Sequence, residues 1–238
     1  MSAGGGSDGG VGAQGLSWDS ERPVRVTGKL EHASRGLWLV KWLLIVPHVI
    51  ILVFLWIAFF FVSVVAFFAI LFTARYPRGM FDFNLGVLRW TWRVSFYSYS
   101  ALATDRYPPF SLGEQPDYPA RLEIDYPERL SRGLVLVKWW LLAIPQYIVI
   151  GIFTGGGYGG GLLFVLVLFA AISLLFRAIY PPGMFDLVMG MNRWLYRVVG
   201  YVALMRDEYP PFRLDMGPRE PAAPAPLPPP PAPVPPAA

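Results

Sequence analysis

Apolar positions run almost unbroken from 37 to 74 and again from 134 to 176, and the two stretches differ in how they are interrupted. The second divides into blocks at 134–153 and 162–176 around the uncharged loop T-G-G-G-Y-G-G-G, with Lys138 the sole charge between Arg132 and Arg177. Blocks of this size approach the roughly 20 residues needed to cross bilayer hydrocarbon, so the stretch predicts a helical membrane hairpin. The first run has no glycine loop. As one helix it would reach about 57 Å, nearly twice the hydrocarbon thickness, so it is expected to fold back as well, near 56–63. Pro47 and Pro145 should kink the first span of each hairpin. Lys41 and Lys138, one turn inside the runs, are expected to snorkel outward.

Each run is followed by a turn signal and then by helical spacing. Asp82, Gly86, Arg89, Arg93 and Tyr97 recur every three or four residues, with Leu85, Leu88, Trp92 and Phe96 on other faces. This spacing predicts an amphipathic helix at about 82–102, lying flat in the headgroup layer. Its counterpart falls at about 186–205. Period-2 alternation at 23–30, and more weakly at 120–125, predicts short strands.

The pattern occurs twice because the sequence does. S-R-G-L-W-L-V-K-W from Ser34 returns as S-R-G-L-V-L-V-K-W from Ser131, and Y-P-R-G-M-F-D from Tyr76 returns as Y-P-P-G-M-F-D from Tyr180. Arg89, Trp90 and Arg93 return as Arg193, Trp194 and Arg197, and Y-P-P-F from Tyr107 returns from Tyr209. Offsets stay near roughly 100 residues, the mark of a tandem duplication. The expected organisation is a Gly-rich disordered tail at 1–21, one membrane repeat at 22–115, a second at 116–217, and a Pro/Ala-rich disordered tail at 218–238.

Composition agrees with this reading. Hydrophobic residues make up 55% and charged residues 15%, against about 25% charged in soluble domains. All 20 Lys and Arg lie outside 42–74 and 139–176, and basic groups flank both ends of each run. The positive-inside rule then places every hairpin end and both termini in the cytoplasm. The fold expected is an all-α, multi-pass membrane protein of the bacterial inner membrane. It has four transmembrane helices as two tandem hairpins, each followed by an amphipathic interfacial helix, with short cytoplasmic β segments. The net charge of +4 points to anionic lipid rather than nucleic acid, since it flanks apolar runs. The absence of cysteine excludes disulfides and thiol catalysis. With only His32 and His48, a histidine-rich metal site is excluded too.

Candidate chemistry is sparse. His48 follows Pro47 inside an apolar run, where an ionisable group is a functional suspect by default. Its counterpart Gln146 carries no proton, which favours a structural role. Asp82 and Asp186 stand where a helix N-cap is expected. They can also join Arg75, Arg78, Arg89 and Arg93, or Arg177, Arg193 and Arg197, as lipid-headgroup contacts, because guanidinium forks bind phosphate bidentately. No nucleophile–base pair, metal-ligand spacing or cofactor motif is present, so no catalytic residue is assigned.

The paired S-R-G-L-x-L-V-K-W, R-Y-P-x-G-M-F-D-F and D-R-Y-P-P-F segments closely resemble a bacterial, chiefly actinobacterial, integral membrane family known as a domain of unknown function. The resemblance covers about residues 22–215. The second copy departs from the motif at Ile179 and Pro182. The resemblance implies a multi-span membrane protein and carries no activity with it. The function expected is non-enzymatic membrane organisation or scaffolding, with anionic lipids and a homo-oligomer or another membrane protein as partners. The alternatives are an oligomeric transporter or channel subunit and, more weakly, a lipid-headgroup enzyme.

Overall fold

The computed structural model describes residues 23–31, 33–156 and 160–219. The Gly-rich segment at 1–21 and the Pro/Ala-rich segment from 220 onward therefore lie outside the described residues. Chain order is β1 (Val24–Gly28), α1 (Trp38–Leu44), α2 (Val46–Thr73), α3 (Arg78–Tyr97), β2 (Ala120–Ile124), α4 (Arg132–Val137), a π-helical turn (Lys138–Leu142), α5 (Ile144–Thr154), α6 (Leu162–Arg177) and α7 (Pro182–Val202).

The prolines mark helix starts. Pro47 occupies the first turn of α2 and Pro145 that of α5, where a missing N–H costs nothing. In the second copy the chain bends by 44° between Leu142 and Ile144. In the first, α1 gives way to α2 at Ile45.

The expected fold-back at 56–63 does not occur. α2 runs unbroken for 28 residues, about 42 Å. Nothing between Val49 and Thr73 breaks a helix: there is no Gly or Pro, and length alone is a weak reason to turn. α2 packs antiparallel against α3, since His48 meets Trp90 near one end and Ser63 meets Asn84 further along. Among the described residues α2 is long and apolar enough to cross a membrane, and a second span exists if the bent pair at 132–154 counts as one. Four transmembrane helices are not reproduced.

The helices read as interfacial are core helices. α3 exposes only Arg78, Gly79 and Asp82, and α7 only Pro182 and Gly183. The remaining positions are buried or half-buried against α2, α6, the strands and each other. Trp92 of α3 meets Tyr196 of α7 edge-on, with ring centroids 5.3 Å apart. Arg89, Arg93 and Arg193 point at backbone carbonyls and Arg197 at the Asp215 carboxylate, so they define no wet face.

Both strands form where the alternation places them, and they pair antiparallel with Val26 opposite Leu122. Each opens its own repeat, yet each is gripped by the other. Arg89 donates to the Leu122 carbonyl at 3.1 Å, and its counterpart Arg193 donates to the Val26 carbonyl at 2.7 Å. Equivalent residues thus meet equivalent residues across the ribbon, giving the two copies a local two-fold relation. The approach is close at Gly28, where a β-carbon would fall 2.4 Å from the Phe96 ring. Left-handed residues recur at matched places, Ala74 with Ala178 and Leu102 with Leu204. Such φ values are rare outside glycine, so their repetition shows that both copies turn the same corners.

Within this symmetry the glycine loop is an insertion. Buried Ala66 and Ile70 of α2 correspond to buried Ala170 and Leu174 of α6. His48 near the start of α2 corresponds to Gln146 of α5. The chain leaves α5 at left-handed Gly155 and re-enters at Gly161, where a β-carbon would lie 2.2 Å from the Gly155 nitrogen. Only glycine fits there.

Candidate functional site

Each copy closes a polar clasp between its first motif and its last. Lys41, fully buried, donates to the Thr104 carbonyl at 2.7 Å and pairs with Asp105 at 2.9 Å, 4.5 Å above the Tyr97 ring. The other Asp105 oxygen accepts the Ser34 N–H at 2.5 Å. In the second copy Lys138, also fully buried, donates to the Arg206 carbonyl at 2.9 Å and pairs with Asp207 at 2.8 Å. Asp207 in turn accepts the Ser131 N–H at 2.6 Å. The lysines do not snorkel. Carbonyls and carboxylates behind the apolar surface satisfy them where they stand, as a buried charge requires.

Burial by itself would raise the Asp105 carboxyl, but the Ser34 and Lys41 hydrogen bonds outweigh it and hold it below its ordinary range. A depressed carboxylate adds stability that is present above its unfolded value, near about pH 4, and lost as pH falls through the folded value. Acid should therefore destabilise the wild type through this group and leave that increment missing in Asp105→Asn. Melting curves of solubilised protein compared from neutral pH down to about pH 3 check it; parallel acid slopes for the two proteins would refute it.

A second matched pair sits deeper. Trp90 donates through Nε1 to His48 Nδ1 at 3.1 Å, and Trp194 donates to Gln146 Oε1 at 2.6 Å. Gln146 also donates to the Pro210 carbonyl at 2.8 Å. His48 stacks on Phe110 with centroids 3.9 Å apart and lies beside Tyr107. Its Nε2 is buried without a hydrogen-bond partner. The requirement common to both copies is an acceptor for a tryptophan N–H, which a neutral imidazole and an amide meet equally.

The headgroup candidates separate into inner and outer groups. Arg93 is buried and donates to the Gly113 carbonyl at 3.0 Å and to the Ser111 carbonyl. Burial pushes it down to about 10, so it remains a cation at neutral pH. Arg193 holds the Val26 and Asp215 carbonyls, Arg197 pairs with Asp215 at 2.6 Å, and Arg89 lies 3.9 Å from Glu114. These four tie loops and strands to the core helices. Arg75, Arg78, Asp82 and Arg177 are exposed and Asp186 is half-exposed. Neither aspartate is an N-cap, because α3 and α7 begin four residues earlier behind Pro77 and Pro181. Among the described residues no group of three or more His, Asp or Glu is placed to hold a metal. Asp105, Asp207 and Asp215 were missed by sequence reasoning. The first two had a signal, since each copy keeps one lysine and one aspartate in matching motifs.

The family profile of a domain of unknown function, DUF4389, matches residues 35–111 and 134–213. The chain belongs to this family. No curated protein and no solved structure matches it. Each DUF4389 segment contains one Lys–Asp ion pair and one tryptophan–acceptor pair, with the serine N–H of each clasp just ahead of it. The strands, at 24–28 and 120–124, fall outside both segments. The matched segments thus hold the helical body, and the ribbon outside them is held by arginines from both copies.

Proposed function

We propose that this DUF4389 protein is a non-enzymatic integral protein of the bacterial inner membrane, with both termini cytoplasmic, that organises lipid or a membrane partner. The observation that carries this reading is the outer surface of α1, α2 and α4–α6. Large apolar side chains stand out from it, including Phe54, Phe72 and Phe176 at 68%, 72% and 76% exposure. An apolar surface of this extent is stable only when covered, and along a helix about 42 Å long the natural cover is hydrocarbon. Antiparallel packing of α2 on α3 supports the topology, because the chain is returned to the side it left. A polar path across the protein finds little support, since Gln146 is bonded at both ends and one face of His48 is stacked on Phe110.

Expression in bacteria and alkaline carbonate washing of the membranes tests the proposal. The protein should stay in the pellet, and brominated acyl chains should quench its tryptophan fluorescence. Release into the wash as a folded monomer would refute it.

A further inference from the structure

The corner where α2 hands over to α3 lies against the segment that enters α4. The Leu130 N–H donates to the Ala74 carbonyl at 2.9 Å, and the Tyr126 hydroxyl donates to the Tyr76 carbonyl. The Arg78 guanidinium sits 4.3 Å from the centre of the Tyr126 ring. These contacts run residues 74–78 and 126–130 side by side. They gather Arg75 and Arg78 of the first copy with Arg129 and Arg132 of the second.

All four arginines are exposed, and among the described residues no carboxylate pairs with any of them. By contrast, Arg25, Arg89, Arg106, Arg197, Arg206 and Arg213 each have a carboxylate within 4 Å. Arg35, Arg121 and Arg177 are exposed like the four and, among the described residues, have no carboxylate partner, but they are not gathered with them. Asp82 and Glu128, both exposed, border the corner and leave it net positive. Phe72 and Leu136, 72% and 48% exposed, continue the apolar surface away from it. The sequence carries fewer arginines at the symmetry-related positions. The counterparts of Arg75, Arg78, Arg129 and Arg132 are Ile179, Pro182, His32 and Arg35. With Arg177 in place of Thr73, the related positions carry two arginines where the first corner carries four, so the two-fold scaffold is more basic at the corner of residues 74–78 and 126–130.

We infer that this corner is a phosphate-ester site in which Arg75, Arg129 and Arg132, steadied by Arg78 on Tyr126, grip one anion. Guanidinium forks match phosphate oxygens bidentately. The inference deepens the membrane reading and rests on it only for the source of the ester, an anionic phospholipid headgroup whose chains lie along α2 and α4. A soluble phosphate ester offers the same chemistry.

Full-length protein in mixed phosphatidylglycerol–phosphatidylcholine nanodiscs distinguishes these. The readout is the ratio of the two lipids that remain bound after transfer to detergent, by mass spectrometry. Wild type should enrich phosphatidylglycerol. Arg75→Gln/Arg129→Gln should lose about fivefold in enrichment per arginine at low salt, and Arg35→Gln/Arg177→Gln should lose nothing. Because the replaced side chains are exposed, unchanged melting serves as the folding control. Arg75→Lys/Arg129→Lys should also lose enrichment; if it keeps it, the corner is a plain charge patch and the fork is refuted. In a second arm, delipidated protein is titrated with glycerol 1-phosphate by calorimetry. Binding there without lipid enrichment upholds the anion site with a soluble source. Equal enrichment in wild type and the glutamine variant, with no heat from glycerol 1-phosphate, overturns the inference. Because the calorimetric arm needs no bilayer, it reads the corner even if the membrane reading fails.

Discussion

Asp105→Asn is expected to destabilise the folded protein by about 3–5 kcal/mol, the range for breaking a buried ion pair from one side. The magnitude comes from what remains. Lys41 is fully buried, so without the Asp105 charge its ammonium is left with neutral partners, the Thr104 carbonyl and the Tyr97 ring among them, and cannot reach water. The Ser34 N–H would lose its carboxylate in the same step. Adding Lys41→Met should recover most of the loss, because removing both charges leaves no buried cation to solvate and an unbranched apolar side chain fills the space. The pair Lys138→Met and Asp207→Asn should behave alike, since its geometry matches within about 0.2 Å. Unfolding in mixed micelles, read as a double-mutant cycle, measures the coupling. Additive single losses would mean that the clasp is not an ion pair in solution.

Arg193→Leu should cost a similar amount, about 3–5 kcal/mol, for another reason. Its guanidinium serves two buried carbonyls from distant segments, Val26 at 2.7 Å and Asp215 at 2.6 Å. Leucine fills part of the volume and leaves both acceptors unpaired, at about 1–3 kcal/mol each beyond the lost charged hydrogen bonds. Arg89→Leu makes the comparison: it serves the equivalent strand, but its side chain is 21% exposed, so water can replace it and the cost should fall below about 2 kcal/mol. Amide exchange reads the difference directly. Arg193→Leu should open β1 faster than α2, whereas a uniform rise in exchange would indicate general loosening.

Much of the fold was legible where local rules suffice. The duplication, the strands, the end of α5 and the limits of α6 followed from alternation and from glycine, because strand pairing and loop geometry write themselves into short windows. The course of α2 was not legible, since an apolar run reads the same whether it doubles back or continues. Arg89, Arg93, Arg193 and Arg197 were misread for a related reason. Arginine every third or fourth residue looks like a wet face when the carbonyls it serves come from a loop some 20 residues away or a strand in the other copy. The lysines look like snorkelling residues in sequence because their carboxylates lie more than 60 positions further along the chain. Of the candidate site, Arg75 and Arg78 were visible from their motif. Arg129 and Arg132 were not, because only the hydrogen bond between Leu130 and Ala74 brings the copies into register.

The exchanged grip on the ribbon bears on ancestry. A chain with one helical body and its strand would have an unpaired strand edge and an arginine with no carbonyl to hold. Two identical chains would satisfy both at once by closing the same antiparallel ribbon about a true dyad. The present polypeptide reads as such a homodimer fused end to end. Fusion also permits the two corners to differ, as they do with Arg75 and Arg78 against Ile179 and Pro182, because identical subunits must change together and linked copies need not.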